Sequence, residues 1–200
     1  MFIVCCDLEG VFVPEIWINV AEKTGIESLR LTTRDIPDYD ELMQRRLRIL
    51  NENKLTIHDI QNVISNMSPL PGAFQFLDWL RAETQVIIVS DTFVQFAGPL
   101  MEKLNRPTLM CNTLEIDLTG VITGYHLRQQ DGKKHVAAAL KSLNYDVIAM
   151  GDSYNDISML KEANIGFLFR PPEKITLEFP EFKVFHDYDA LQKTLKDILK

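Results

Sequence analysis

The chain has 200 residues, 46% of them hydrophobic and 24% charged, the balance of a soluble globular protein with one sizeable core. A net charge of −7 and a pI of about 5.1 argue against nucleic acid or an anionic membrane as the main partner. A small anion in a local positive pocket is still allowed. No apolar run approaches the ~20 residues of a membrane helix. The N-terminus lacks a basic segment and a cleavable signal shape, so a cytoplasmic protein is expected.

In chain order, residues 2–6 predict a first buried strand, followed by Asp7-Leu8-Glu9-Gly10. The three cysteines, Cys5, Cys6 and Cys111, form no disulfide framework and suit a reducing compartment. Strand neighbours point to opposite faces, so Cys5 and Cys6 are expected to pack rather than share a metal. Residues 15–67 are charged and helix-periodic, with no buried-strand run. Residues 38–50 predict one helix. Ile60, Val63, Ile64 and Met67 mark another, after a capping signal at Thr56-Ile57-His58-Asp59. Ser68-Pro69-Leu70-Pro71-Gly72 breaks the pattern. Residues 13–71 therefore read as a helical cap inserted into a core of residues 1–12 and 72–200.

Beyond Gly72, strands and helices alternate. Ala73, Phe76, Leu77 and Leu80 mark a helix, Val86–Val89 a strand, 94–104 a helix and 108–111 a short strand. Residues 114–123 predict a small β-hairpin, with Glu115 and Asp117 as solvated charges on its outer face. A helix over 133–143, a strand over 147–150, a helix over 157–163, a strand over 165–169 and a helix over 187–199 complete the pattern. The fold class is α/β: a Rossmann-like, doubly wound parallel sheet with an inserted helical cap and a small hairpin. Apolar residues in 93–101 are expected to be exposed. Packing of that face against a second subunit would give a homodimer.

Two predicted strands end in carboxylates, at Asp7 and at Gly151-Asp152-Ser153-Tyr154-Asn155-Asp156. Open α/β sheets place ligands at strand C-terminal ends. Asp7 and Asp152 together suit a hard cation such as Mg²⁺. Asp7 is a candidate nucleophile toward phosphorus, or else a strand-end cap. Glu9, two residues on, is a candidate acid and base, or a solvated loop charge. Ser90-Asp91-Thr92 offers a hydroxyl and backbone N–H groups to a phosphate, or merely caps a helix. Lys133 and Lys134 begin a helix against the usual dipole preference, which points to an anionic partner for one of them. Asp156 suits orientation of Lys133, and Asn155 suits contact with substrate. Trp17 and Trp79 read as core or cap-interface residues.

These segments, in this order, resemble the four motifs of the haloacid dehalogenase-like phosphatase superfamily: Asp7-Leu8-Glu9-Gly10-Val11, Ser90, Lys133 and Gly151–Asp156. Most phosphatases of that superfamily carry Asp as the second acid, where this chain has Glu9. Pro14-Glu15-Ile16-Trp17, Thr33-Arg34-Asp35-Ile36-Pro37-Asp38-Tyr39-Asp40 and Arg46-Leu47-Arg48-Ile49-Leu50 are similar to one subgroup. Its members are bifunctional, acting as phosphoserine phosphatases and as phosphoserine:homoserine phosphotransferases. The resemblance implies a Mg²⁺-dependent enzyme forming an aspartyl phosphate on Asp7, with Glu9 and Lys133 also catalytic. It implies metal binding by Asp7, Asp152 and the backbone at Glu9. Substrate would meet Ser90, Asp91, Lys133 and Asn155, with its phosphate between Asp7, Ser90 and Lys133. Glu15 would hold the ammonium of the amino acid and Arg46 its carboxylate. Without the resemblance, Arg46 reads as part of a solvated helix face and Glu15 as a first-turn helix charge. Two alternatives stand beside this reading: a phosphatase acting on another small phosphomonoester, and a non-catalytic binding protein with the same fold.

Overall fold

The computed structural model describes residues 1–32, 35, 36 and 38–200; Thr33, Arg34 and Pro37 of the subgroup motif lie outside the described residues. Strand β1 (Phe2–Cys6) occupies the centre of a seven-stranded sheet. On one side come β2 (Gln85–Phe93), β3 (Thr108–Ile116) and β4 (Ile122–His126). On the other come β5 (Asp146–Gly151), β6 (Ile165–Phe169) and β7 (Lys183–Phe185). All neighbours are parallel except β3 and β4. The chain leaves β1 in both directions across the sheet, so the C-terminal end of β1 is a switch point, where such sheets bind ligands.

Alternation along β1 divides the core. Val4 and Cys6 join one apolar cluster, while Ile3 and Cys5 join the cluster on the opposite face. Helices α6 (Gly132–Ser142) and α7 (Ile157–Glu162) cover the second face through Val136, Ala137, Met159 and Leu160. Helices α4 (Ala73–Glu83), α5 (Val94–Lys103) and α9 (Tyr188–Ile198) cover the first through Phe76, Phe96 and Leu195.

Between β1 and α4 lie α1 (Ile16–Thr24), α2 (Tyr39–Glu52) and α3 (Ile57–Ser65). The outgoing and returning connections run side by side, with Leu70 N–H donating to the Phe12 carbonyl at 2.9 Å. Val20, Met43, Ile60 and Ile64 of these helices belong to the same apolar cluster as Phe76 and Phe96. The inserted helices are therefore seated on the first face. The Thr56 N–H and hydroxyl both donate to Asp59, closing the N-terminus of α3. Ile57 N–H reaches Gly120 O at 2.8 Å, tying α3 to the β3–β4 turn.

Several boundaries differ from expectation. The predicted strand at 108–111 and the first arm of the hairpin are one strand, β3, which pairs with β2 through Asn112 and with β4 from Thr113 onward. The hairpin is the edge of the main sheet. Asp117 is more than a solvated charge: it accepts from Thr119 N–H, Thr119 hydroxyl and Val121 N–H and shapes the turn. Glu115 pairs with His126 across the strands. Helix α8 (Glu173–Glu178) and β7 escape periodicity because each is too short to show a repeat. In residues 93–101, Phe93, Phe96, Ala97, Leu100 and Met101 are buried in the chain's own core, and Val94 is the exposed large hydrophobic. The apolar run meant for a second subunit packs internally instead.

Burial pushes the Cys5 thiol up to about 12 and raises Cys6 well above its usual range. A thiol-specific reagent is expected to label at most Cys111 in the folded protein, and all three cysteines after denaturation. Rapid native labelling of Cys5 or Cys6 would contradict this packing.

Candidate active site

Asp7 follows β1 directly, and its N–H continues the pairing with β5 by donating to Met150 O at 2.9 Å. Its carboxylate is almost wholly buried. Leu8 N–H (2.7 Å) and Lys133 Nζ (2.9 Å) both meet Oδ1. Lys133 enters from the first turn of α6 and is itself 3% exposed. Its ammonium also lies 2.7 Å from Asp156 Oδ1 and 3.7 Å from Asp91 Oδ2. Burial alone lowers the Lys133 pKa, but Asp156, Asp7 and Asp91 outweigh it and hold the amine charged. Lys134, its neighbour, is exposed.

Asp156 is fully buried, with both oxygens engaged. Oδ1 takes Lys133, and Oδ2 accepts the N–H groups of Asp152 (3.0 Å) and Ser153 (3.1 Å). Only glycine fits at 151, since a Cβ there would lie 2.3 Å from Asp156 Cγ. Gly10 makes the corresponding close approach to Asp152. With φ +75°, a Cβ on it would meet the Asp152 carboxylate at 2.4 Å.

Among the described residues, Asp7, Asp152 and Asp156 gather with carboxylate oxygens within 4.8 Å of one another. Burial, with Asp156 and Asp152 nearby, raises Asp7 well above the carboxylate range despite Lys133. One ammonium among these acids leaves surplus buried negative charge. That all-oxygen donor set fits a hard divalent cation, and Asp156 within it already spends both oxygens on the protein itself.

The Glu9 side chain stands apart from this group. Its carboxylate turns to α1 and accepts Ile16 N–H at 2.7 Å, so the side chain stays outside the acidic group. This leaves the backbone as Glu9's route to a metal. Burial, reinforced by Glu15, pushes the Glu9 carboxyl up to about 8 against Ile16 N–H, Arg46 and Lys133. A protonated acid at neutral pH suits general acid catalysis.

Ser90, Asp91 and Thr92 lie inside β2, beyond its expected end, where the register with β3 is broken between Val89 and Phe93. That irregularity releases backbone from the ladder at the sheet's ligand end. The Ser90 hydroxyl accepts Thr92 N–H at 3.2 Å. Asp91 ties elements together. Its carboxylate accepts Asn155 Nδ2 at 2.7 Å, and its carbonyl accepts Tyr39 hydroxyl (3.2 Å) and Asn112 Nδ2 (3.1 Å).

Opposite this cluster stand residues of α1 and α2. Arg46 is buried, not on a solvated face. Its guanidinium lies 4.5 Å from the Trp17 ring centroid, and Nη2 donates to Leu31 O at 2.8 Å. Its buried Nε has no hydrogen-bond partner among the described residues. Burial lowers its pKa to about 10, against the pull of Tyr39, Glu9 and Glu15. Asp7, Glu9, Glu15, Arg46, Ser90 and Lys133 all line one cavity of about 1300 Å³, as do Asp91, Asp152 and Asn155. Periodicity gave no sign of Tyr39, Asp40 and Tyr125, which also line it. Tyr125 hydroxyl donates to Asp40, and the Tyr39 and Tyr125 rings meet edge to face at 5.9 Å. They come from elements far apart in sequence.

The chain matches the model of the haloacid dehalogenase-like hydrolase family over residues 27–161. It is 57% identical to "Phosphoserine phosphatase ThrH" of Pseudomonas aeruginosa, over 96% of this chain and 94% of that one. It is 58% identical to a phosphoserine phosphatase of Pseudomonas syringae, over 96% of this chain and 81% of that one. Among solved structures, an apo phosphoserine phosphatase superposes with a TM-score of 0.78 at 22% identity, covering 96% of this chain and 97% of the other. A "Phospho-Aspartyl Intermediate Analogue of Phosphoserine phosphatase" gives 0.75 at 19% identity, covering 96% and 97%. These two establish likeness of fold.

Lys133→Ala strands Asp7 and Asp156 without their buried counter-charge and is expected to cost on the order of 3 kcal/mol of stability. Lys134→Ala should stay within about 0.5 kcal/mol, as at other exposed positions. Denaturant melts of the two variants check this, and equal losses would show that the buried pairing is wrong.

Proposed function

The chain belongs to the haloacid dehalogenase-like hydrolase family, and on that premise we propose that it is a Mg²⁺-dependent phosphoserine phosphatase that also transfers the phosphoryl group to homoserine. One observation carries the reading. The buried Asp7–Lys133 pair shares one cavity with an Arg46 guanidinium whose buried Nε lacks a partner among the described residues. The first is equipped for a phosphoryl group and the second for a carboxylate. Phosphoserine carries both, and its ammonium falls to Glu15. The two Pseudomonas relatives carry phosphoserine phosphatase names, which supports the assignment.

In this reading the phosphate sits between Asp7, Ser90 and Lys133. Asp7 Oδ2, which neither Leu8 N–H nor Lys133 holds, attacks phosphorus. The P–O bond to serine breaks as the P–O bond to Asp7 forms. Glu9 gives its proton to the serine oxygen, and free serine leaves. Lys133 faces the charge that builds on the phosphoryl oxygens. Asp7 and Asp152, with a backbone carbonyl beside Glu9, would hold Mg²⁺, whose charge when bound offsets that of the phosphoryl oxygens. Glu9, now ionised, takes a proton from water, and attack on the aspartyl phosphate releases inorganic phosphate. When homoserine occupies the vacated amino-acid site, its hydroxyl loses the proton to Glu9 and takes the phosphoryl group instead. Residues 13–71 act as the cap that supplies Glu15 and Arg46 and excludes water during transfer.

Incubation with L-phosphoserine and Mg²⁺, with and without homoserine, tests the whole reading. Free phosphate is expected in both, and O-phosphohomoserine only in the second. Free phosphate alone would leave a simple phosphatase, and neither product would sink the substrate assignment in favour of another phosphomonoester. Arg46→Ala is expected to raise KM for phosphoserine about 10- to 100-fold through loss of a charge-assisted contact. It should leave KM for a phosphomonoester without a carboxylate within about twofold, since only the lost contact differs between the two.

A further inference from the structure

The proposed chemistry has no use for Tyr188, a buried residue at the start of α9. Its hydroxyl donates to the Val11 carbonyl at 2.6 Å, a buried bond across 177 positions of sequence. Its ring stacks on Phe76 (5.0 Å) and Phe169 (4.7 Å), and the Arg170 guanidinium lies 5.0 Å from its centroid. The same ring presses on the returning connection, since a Cβ on Gly72 would lie 3.1 Å from Tyr188 Cδ2. Tyr188 thus braces both passages between the sheet and the inserted helices, one by a hydrogen bond and one by contact.

Val11 belongs to the tight turn that follows β1. Phe12 N–H (2.8 Å) and Val13 N–H (3.1 Å) donate to Leu8 O, and Gly10 N–H donates to Val13 O at 2.8 Å. This turn carries Glu9. Asp7 shares one contact with this turn, Leu8 N–H, but is also anchored outside it by Met150 O and Lys133. A disturbance of the turn should therefore move the acid more than the nucleophile. We propose that Tyr188 is a positioning residue that, through the Val11 carbonyl, fixes the turn aiming Glu9 at the leaving oxygen. This rests on the role given to Glu9 above.

Tyr188→Phe keeps the aromatic stack and removes only the hydroxyl. The value of kcat/KM reports steps up to phosphorylation of Asp7, the step in which the leaving group departs. For phosphoserine, whose alkoxide must be protonated, it is expected to fall about 10- to 100-fold. For 4-nitrophenyl phosphate, whose leaving group needs no proton, it should stay within about twofold. Ile175→Val in α8, a buried change on the other face of the sheet, should lower Tm without separating the two substrates. Amide exchange gives a readout that does not depend on the substrate. Gly10, Phe12 and Val13 should exchange faster in Tyr188→Phe, with Phe2–Cys6 unchanged. A wild type inactive on phosphoserine would sink the functional reading and leave the exchange result to decide this one. An equal fall for both substrates, separation by Ile175→Val as well, or unchanged exchange in the turn would overturn the proposal.

Discussion

A single ammonium buried among carboxylates organises this molecule. Lys133 is 3% exposed and reaches Asp7, Asp156 and Asp91 from one position. Such a charge is tolerated only when its partners are in place, because an unpaired ammonium in a dry interior costs several kcal/mol. The constraint runs both ways. It fixes the start of α6 against the ends of β1, β2 and β5. It also leaves a net negative cluster whose oxygens fit a hard divalent cation.

Close backbone approach does the remaining positioning. Gly10 and Gly151 lie against Asp152 and Asp156, where any side chain would collide with a carboxylate. Asp156 then converts its position into geometry, spending one oxygen on Lys133 and the other on two backbone N–H groups. The acid cluster therefore contains two kinds of carboxylate: Asp156, which is structural, and Asp7 and Asp152, which face the cavity. Residue type alone gives no way to separate them.

The inserted helices are more than a lid resting on the sheet. Trp17 packs edge to face with Phe96 at 5.5 Å, and Met43 and Ile60 share a core cluster with Phe93. The polar wall of the cavity is equally shared, with Tyr39 on the Asp91 carbonyl and Tyr125 on Asp40. The helix that carries Arg46 and the strand that leads into Asp7 rest on one shared apolar cluster.

The sequence by itself determined the α/β alternation, the insertion after the first strand, and the strand-end placement of Asp7 and Asp152. Each depends on local pattern: apolar runs, helical spacing and breakers such as Pro69, Pro71 and Gly72. It also pointed to Lys133 or Lys134, cations at the wrong end of a helix dipole, and the fold buries Lys133 and exposes Lys134. Only the tertiary structure decided what touches what. It merged the hairpin into the sheet, because pairing of β3 with β2 lies outside any local window. It buried Arg46, which helix periodicity assigns to a charged face, by bringing Trp17 beneath it. It set Asp91 where it bonds Asn155, Tyr39 and Asn112 at once, and directed Glu9 to the N-terminus of α1. It brought Tyr39 and Tyr125 to one cavity from distant segments. Hydrogen-bond partners far apart in sequence leave no periodic trace, so their roles emerge only when the chain is folded.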